Sequence, residues 1–308
     1  LMDKIYINSA DEDWIVDKFK HEFLEFNSHL ITHDIQDANI IWIISPWTWK
    51  QLPKEKLKSK KVIVTIHHLD DSDLSPRKIR EFRKRDKFVD AYHIITEKTL
   101  STLQELTQKK IYNFPFWVNP DNFFNIENST NIKSKYNIPQ NSFLVGSFQR
   151  DSEGKNLNKP KLIKGPDIFI KAMEVLNFKF ENVHVVLSGY RRNFVMSKLD
   201  ELGITYSYFE KADIEVVNEL YNCLDLYMVT SRIEGGPQAI FECAITKTPI
   251  ISTDVGIANK ILHPSSIFSI NDFESATPNE DYAYQQVQEY LIPDGFKNFK
   301  KMFNEAST

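Results

Sequence analysis

Short apolar runs alternate with amphipathic stretches along the first third of the chain: KIYIN, then the helical pattern DEDWIVDKFKHEFLEF, then ANIIWII, KKVIVTI and AYHIITE. The runs are too short for buried helices and are apolar on both faces, the pattern of strands in a covered parallel sheet. The rhythm resumes with SFLVGSF, GPDIFIKAMEVL, NVHVVLSG, EVVNELYNC, LDLYMVTS and TPIISTD, so the chain reads as two α/β units in series. Between them NPDNFFNIENSTNIKSKYNIPQNS is rich in Asn, Pro and Ser and marks the connection, its NIKSKYN end being a short helix of the second unit. The tail gives two short helical pieces broken at Pro293-Asp294-Gly295. Open α/β sheets bind ligands at the C-terminal ends of their strands, so two such units are expected to face each other across a cleft.

The stretch SRIEGGPQAIFEC follows the run LDLYMVTS and opens at that end. Glu234 and Glu242 bracket seven residues that begin Gly235, Gly236, Pro237. Proline suits a first helical position, so the spacing predicts a helix from about Pro237. Its first turn carries unpaired N–H groups and the positive end of the dipole, an anion site with one acid ahead of it and another along its side. The plainer alternative puts Glu242 on a solvated face with Gln238 and Thr246, and makes Glu234 a helix-start acid.

Composition narrows the classes. A net charge of −4 over 308 residues argues against a nucleic-acid binder. Cys223 and Cys243 have no paired spacing, so neither a disulfide framework nor a zinc site is indicated, and the expected compartment is the cytoplasm. No apolar run reaches the roughly 18 residues of a membrane span, and the N-terminal residues lack a signal peptide's plan. No G-x-G-x-x-G follows a strand, against a dinucleotide-dependent dehydrogenase. The acids Asp70, Asp71 and Asp73 of HLDDSD read as a solvated loop rather than a metal site. All the tryptophans (Trp14, Trp42, Trp47, Trp49, Trp117) precede the first glycine, Gly146, so the two units have different jobs.

Taken in order, VIVTIH, AYHIITEKTLSTL, IYNFPFWVNPDNFF, SFLVGSF, KGPDIFIKA, VHVVLSG and E-x7-E followed by TPIISTDVG resemble glycosyltransferase family 4, retaining sugar-nucleotide transferases of the GT-B fold. The resemblance implies two Rossmann-like domains. Residues 1–122 form the acceptor domain, completed by the C-terminal helix 290–308, and residues 123–289 form the donor-nucleotide domain. It implies that Glu234 contacts the donor sugar, that Gly235, Gly236 and Pro237 hold its diphosphate, that Glu242 binds the ribose, and that the base lies near Tyr208, Phe209 and on to Lys211. Lys164 of LIKGPD matches the lysine that the family places on the diphosphate, beyond the strand glycine Gly146. The family arginine falls at Ser147. Arg150 is the expected substitute, since a leaving diphosphate needs its charge neutralised and no metal or cofactor is indicated; the alternative is a surface arginine. The segment DSEGKNLNKPKLI is longer than the family usually carries and brings Lys155, Lys159 and Lys161 near the donor or acceptor. His67 matches the family's strand-end histidine, with His68 beside it. The first-strand loop NSADEDW lacks the family's glycine; its acids Asp11, Glu12 and Asp13 read as helix caps, with Ser9 or Asp11 at the N-cap.

SPRKIREFRKRDKF and LPKEKLKSKK are strongly basic and suit an anionic membrane surface. Trp47 and Trp49 of SPWTWK would serve as an interfacial anchor or a sugar-stacking platform, and Trp42, inside a strand, as core. The chain thus reads as an enzyme that transfers a sugar from a nucleoside-diphosphate sugar to a hydroxyl of a glycan or lipid-linked acceptor, at the inner face of the membrane. The alternatives are a non-catalytic sugar-nucleotide or glycan binder of this fold, and a sugar-nucleotide epimerase.

Overall fold

The computed structural model describes residues 4–11, 15–69 and 74–307; Glu12, Asp13, Trp14, Asp70, Asp71 and Asp73 lie outside the described residues. The chain forms two compact units, Leu1–Trp117 with Ile292–Thr308, and Val118–Leu291.

The first unit is built on strands β1 (Ile5–Asn8), β2 (Ile40–Ile43), β3 (Lys61–Ile66), β4 (Ala91–Ile94) and β5 (Lys110–Asn113), parallel and in that order. On one face Ile41, Ile43, Val62, Val64 and Tyr92 pack with Leu57, Phe82 and Leu103 of the crossover helices, and Trp49 joins this core. Trp49 is 8% exposed and Trp47 47%. The pairing of the two as one exposed platform is therefore corrected. The tight turn Pro46–Gln51 sends alternate indoles inward and outward.

The opposite face carries Trp42 and His93, covered by Phe23 of the helix Ile15–Phe26 and by Phe299 and Phe303 of the helix Lys297–Ser307. A histidine in this aromatic layer must have both ring nitrogens satisfied. Trp42 Nε1–H donates to Thr65 Oγ1 at 2.8 Å, Thr65 Oγ1 lies 3.1 Å from His93 Nδ1, and His93 Nε2–H donates to the Phe114 carbonyl at 2.9 Å. The neutral imidazole completes this chain, with Nε2–H donating and Nδ1 accepting from Thr65 Oγ1, and burial favours that form. Asp11, at φ +51°, makes the turn after β1 without a glycine, a conformation Asp tolerates. Among the described residues its carboxylate accepts from Ser9 Oγ (3.0 Å) and Lys20 (3.2 Å); the N–H groups three residues on that a cap at Ser9 or Asp11 would bond lie outside the described residues.

The second unit contains β6 (Phe143–Ser147), β7 (Val183–Ser188), β8 (Thr205–Phe209), β9 (Leu226–Val229), β10 (Ile250–Thr253) and β11 (Ile267–Phe268). All are parallel, in the order β11-β10-β9-β6-β7-β8. The chain runs outward from β6 through β7 to β8, then crosses back to place β9 on the other side of β6. The order therefore reverses between β6 and β9, and a crevice opens at their C-terminal ends. Gly146 lies in β6 because a Cβ there would sit 2.2 Å from Leu224 Cδ1. Its place is set by packing beneath the crevice.

Burial is the first cause that lowers both strand-associated histidines of the first unit, His93 to about 3 and His67 to about 4. The unfolded chain takes up these protons below about pH 6.5 and the fold does not, so stability is full above that pH and falls as pH drops toward 4. At pH 5 the His93 contribution to this loss is about 2 kcal/mol. Urea denaturation at pH 7 and pH 5 should show that loss in the wild type and a smaller one in His93→Gln; equal losses would contradict the neutral-imidazole chain.

Candidate functional site

Three loops meet at the β6/β9 crossover: residues 148–165 after β6, 230–237 after β9 and 254–256 after β10. The first two are locked by one close approach. Gly165 has φ +63°, and a Cβ on it would stand 1.8 Å from the carbonyl oxygen of Thr230; Thr230 Oγ1 donates to the Gly165 carbonyl at 2.9 Å. Only glycine fits there, in a left-handed conformation and against a backbone. Lys164, immediately before it, is thereby brought to the acid after β9: its ammonium is ion-paired with Glu234. The two side chains are 22% and 13% exposed, so the pair is sheltered though still reachable.

The surrounding groups hold that pair. Ser231 Oγ lies 3.0 Å from Glu234 Oε1 and 3.1 Å from Gln149 Oε1, and its single proton is shared between these acceptors. Gln149 Nε2 donates to the Lys164 carbonyl at 2.8 Å. Arg232 forms a two-pronged ion pair with Asp167 (2.8 and 2.7 Å), which holds the Asp167 carboxyl below its ordinary range. The backbone N–H groups of Arg232 and Ile233 donate to the Ile163 carbonyl at 2.8 and 3.2 Å. The turn carrying Lys164 is thus bolted to the strand end carrying Glu234.

The Gly235-Gly236-Pro237 turn is pinned from the other side. Gly256 (φ +55°) packs so closely that a Cβ would stand 2.6 Å from Pro237 Cδ and 2.8 Å from the Gly235 oxygen. Thr253 Oγ1 donates to the Ser231 carbonyl at 2.5 Å. Pro237 is the N-cap, with ψ 113°, and the helix runs Gln238–Thr246, one residue later than the spacing predicts. Its amino end faces the same strand ends as Lys164 and Glu234.

Glu242 lies on the buried side of that helix, 9% exposed, with Thr246 at 1%. The solvated-face alternative is therefore corrected: the helix turns these positions toward Tyr221, whose hydroxyl donates to Glu242 Oε2 at 2.8 Å. Burial pushes the Tyr221 phenol well up, so it remains a donor. Tyr208 and Phe209 lie on the edge strand β8, at the same sheet end but two strands from β6; Tyr208 donates to the Gly189 carbonyl at 2.9 Å, and Phe209 meets Tyr136 edge-on. His67 belongs to the other unit, at the end of β3. Its Nε2–H donates to the Ile44 carbonyl at 2.8 Å, and the ring lies parallel to Phe116, with Trp47 6.5 Å away. Burial, with a further push from His68, lowers it to about 4, so it is neutral at pH 7 and offers Nδ1 as an acceptor.

Of the basic residues near Ser147, Arg150 is exposed, and its Nε–H donates to the Ser152 carbonyl within its own loop at 2.8 Å. Arg192 is a residue that sequence patterns do not single out. It is 1% exposed and donates to Asp151 (2.8 Å), the Ser188 carbonyl (3.0 Å), Ser147 Oγ (3.1 Å) and the Ser147 carbonyl. A guanidinium does stand at Ser147, supplied from beyond β7 and fully engaged as a strut between β6, β7 and the inserted loop. Nothing in YRRN marks which arginine turns inward.

Residues 156–276 match the family model described as Glycosyl transferases group 1. None of the curated proteins matches the sequence. The fold is similar to that of a sucrose-phosphate synthase from Thermosynechococcus elongatus, 12% identical over 97% of this chain and 80% of that one, with a TM-score of 0.70. It is similar to Anabaena HepE in complex with UDP, 11% identical over 99% and 100% of the two chains, TM-score 0.73. A glycosyltransferase from Rickettsia africae ESF-5 is 15% identical over 97% and 83%, TM-score 0.65. The architecture, two parallel-sheet α/β domains, is that of GT-B.

Gly165→Ala should cost about 3 kcal/mol, the left-handed penalty plus the collision with Thr230. Gly203→Ala is the control: Gly203 has φ +67° but nothing within 4 Å of a Cβ, so it should cost only about 1 kcal/mol. Urea denaturation of the two variants gives the comparison, and equal costs would show that the approach to Thr230 imposes nothing.

Proposed function

We propose that this protein is a retaining glycosyltransferase that moves a sugar from a nucleoside-diphosphate sugar to a hydroxyl of a glycan or lipid-linked acceptor. The observation that carries the reading is the sheltered Lys164–Glu234 pair beside the Gly235-Gly236-Pro237 turn, at the point where the strand order reverses. A diphosphate at the turn meets the amino end of the helix Gln238–Thr246 and competes with Glu234 for the Lys164 ammonium. The charge that develops on the leaving diphosphate is then met by fixed donors. Glu234, released from its lysine, faces the sugar; Glu242 takes the ribose hydroxyls, and Tyr208 and Phe209 border the base. The neutral His67 is the acceptor-domain group for the sugar. That HepE is solved with UDP, and with UDP-glucose, supports a nucleoside diphosphate as the first ligand to try.

The setting we propose is cell-surface glycan or glycolipid assembly at the cytoplasmic face of a membrane. Among the described residues no helix is long and apolar enough to cross a membrane. The helix Pro76–Asp86, with Arg77, Lys78, Arg80, Arg83 and Lys84 exposed, supports electrostatic attraction to an anionic surface. One observation favours the non-catalytic alternative: Arg192, the guanidinium at Ser147, is wholly engaged inside the fold.

Calorimetric titration with UDP, GDP, ADP and CMP tests the reading. One nucleotide should bind, and Glu242→Ala should weaken it about tenfold or more, the worth of a charged hydrogen bond to ribose. Glu234→Gln should abolish turnover of the matching sugar nucleotide while keeping nucleotide affinity within about threefold. Absence of any nucleotide binding would overturn the reading; binding with no turnover in either form would favour the non-catalytic binder.

A further inference from the structure

A diphosphate at the Gly235-Gly236-Pro237 turn carries more negative charge than Lys164 alone offsets, so the neighbouring cations are the candidates for a second ligand. Arg192 is buried and spent on Asp151, Ser147 and Ser188. Arg150 is exposed and bonded to its own loop. Lys159 is paired with Glu153 at 2.7 Å. Lys161 differs from all of these: it is half-buried, and among the described residues no acid is ion-paired with it.

The backbone sets where Lys161 stands. Its N–H donates to the Asp151 carbonyl at 2.7 Å, and its carbonyl accepts from the Lys164 N–H at 2.8 Å. That bond closes a tight turn over Leu162–Lys164, with Lys161 as its N-cap and Gly165 beyond it. The two lysines stand at the two ends of the turn, their Cα atoms within about 7 Å. Because the Ile163 carbonyl of the same turn is held by the N–H groups of Arg232 and Ile233, both lysines are fixed relative to Glu234 and the glycine turn.

Charge points the same way. The cations acting on Lys161 are Lys164 and Arg150, and the acids are Glu234 and Glu153. Glu153 is already taken by Lys159, and Glu234 by Lys164. Burial and the two neighbouring cations lower the Lys161 ammonium below its usual range. Such a partly desolvated and undercompensated cation gains most from an arriving anion.

We propose that Lys161, supplied by the inserted segment, is a second ligand of the donor diphosphate, and that it rather than Arg150 takes this role. The assignment rests on the donor-site reading above. It accounts for the extra residues between β6 and Gly165, which carry a lysine back to the turn from which Lys164 already reaches.

Titrating the wild type, Lys161→Gln, Lys161→Arg and Arg150→Gln with the tightest-binding of UDP, GDP and ADP, with its monophosphate and with inorganic pyrophosphate tests this. Lys161→Gln should weaken the nucleoside diphosphate and pyrophosphate about tenfold, as for loss of one charge-assisted hydrogen bond, and the monophosphate less than about threefold. Lys161→Arg should recover most of the loss, and Arg150→Gln should stay within about threefold of the wild type. The assignment is overturned if Lys161→Gln binds the diphosphate like the wild type, if the loss is as large for the monophosphate, or if Arg150→Gln carries it. If the wild type binds no nucleoside diphosphate, the donor-site reading fails first and this assignment with it.

Discussion

The backbone of Gly165 lies against the carbonyl of Thr230 with no room for a single methyl group, and the candidate site depends on that approach. It joins a loop that leaves β6 to one that leaves β9, the two strands between which the sheet reverses its order. The lysine before Gly165 and the acid after Thr230 meet because the chains carrying them cannot separate without losing this contact. The hydrogen bonds of Ser231, Gln149, Thr253 and Arg232 are arranged around a seam that the glycine makes possible. They orient groups whose proximity the backbone has already imposed.

The same logic, with polar groups in place of close packing, holds the first unit. Its aromatic layer buries a histidine that the surrounding rings cannot satisfy. Thr65 and the Phe114 carbonyl complete it, and Trp42 extends the chain of donors. Such a chain specifies one arrangement of three strands, since a shift of register would leave each member without a partner in an apolar layer.

Much of this was legible in the sequence. The strands show as runs apolar on both faces because in a covered parallel sheet both faces are buried, and ANIIWII and NVHVVLSG are buried along their whole strand lengths. The glycines and acids of the β9 loop stand out because tight turns and dipole ends demand such residues. Partnership was less legible. Spacing marks Lys164 and Glu234 separately, 70 residues apart, and carries no sign that they pair. It gives Glu242 a helical face without saying that the face looks inward to Tyr221. Trp47 and Trp49 look equivalent until the turn between them is known, and Arg192 is one of two adjacent arginines. In each case the missing information is a tertiary contact, which no local pattern contains.

The helix Lys297–Ser307 lies on the sheet of the first unit, although the whole second unit stands between them in the chain. During synthesis, then, the second unit becomes available as one continuous stretch, while Trp42, His93 and Phe23 lack this cover until the helix Lys297–Ser307, beyond the second unit, has emerged. Until then that aromatic layer is an exposed apolar surface of the kind a chaperone binds.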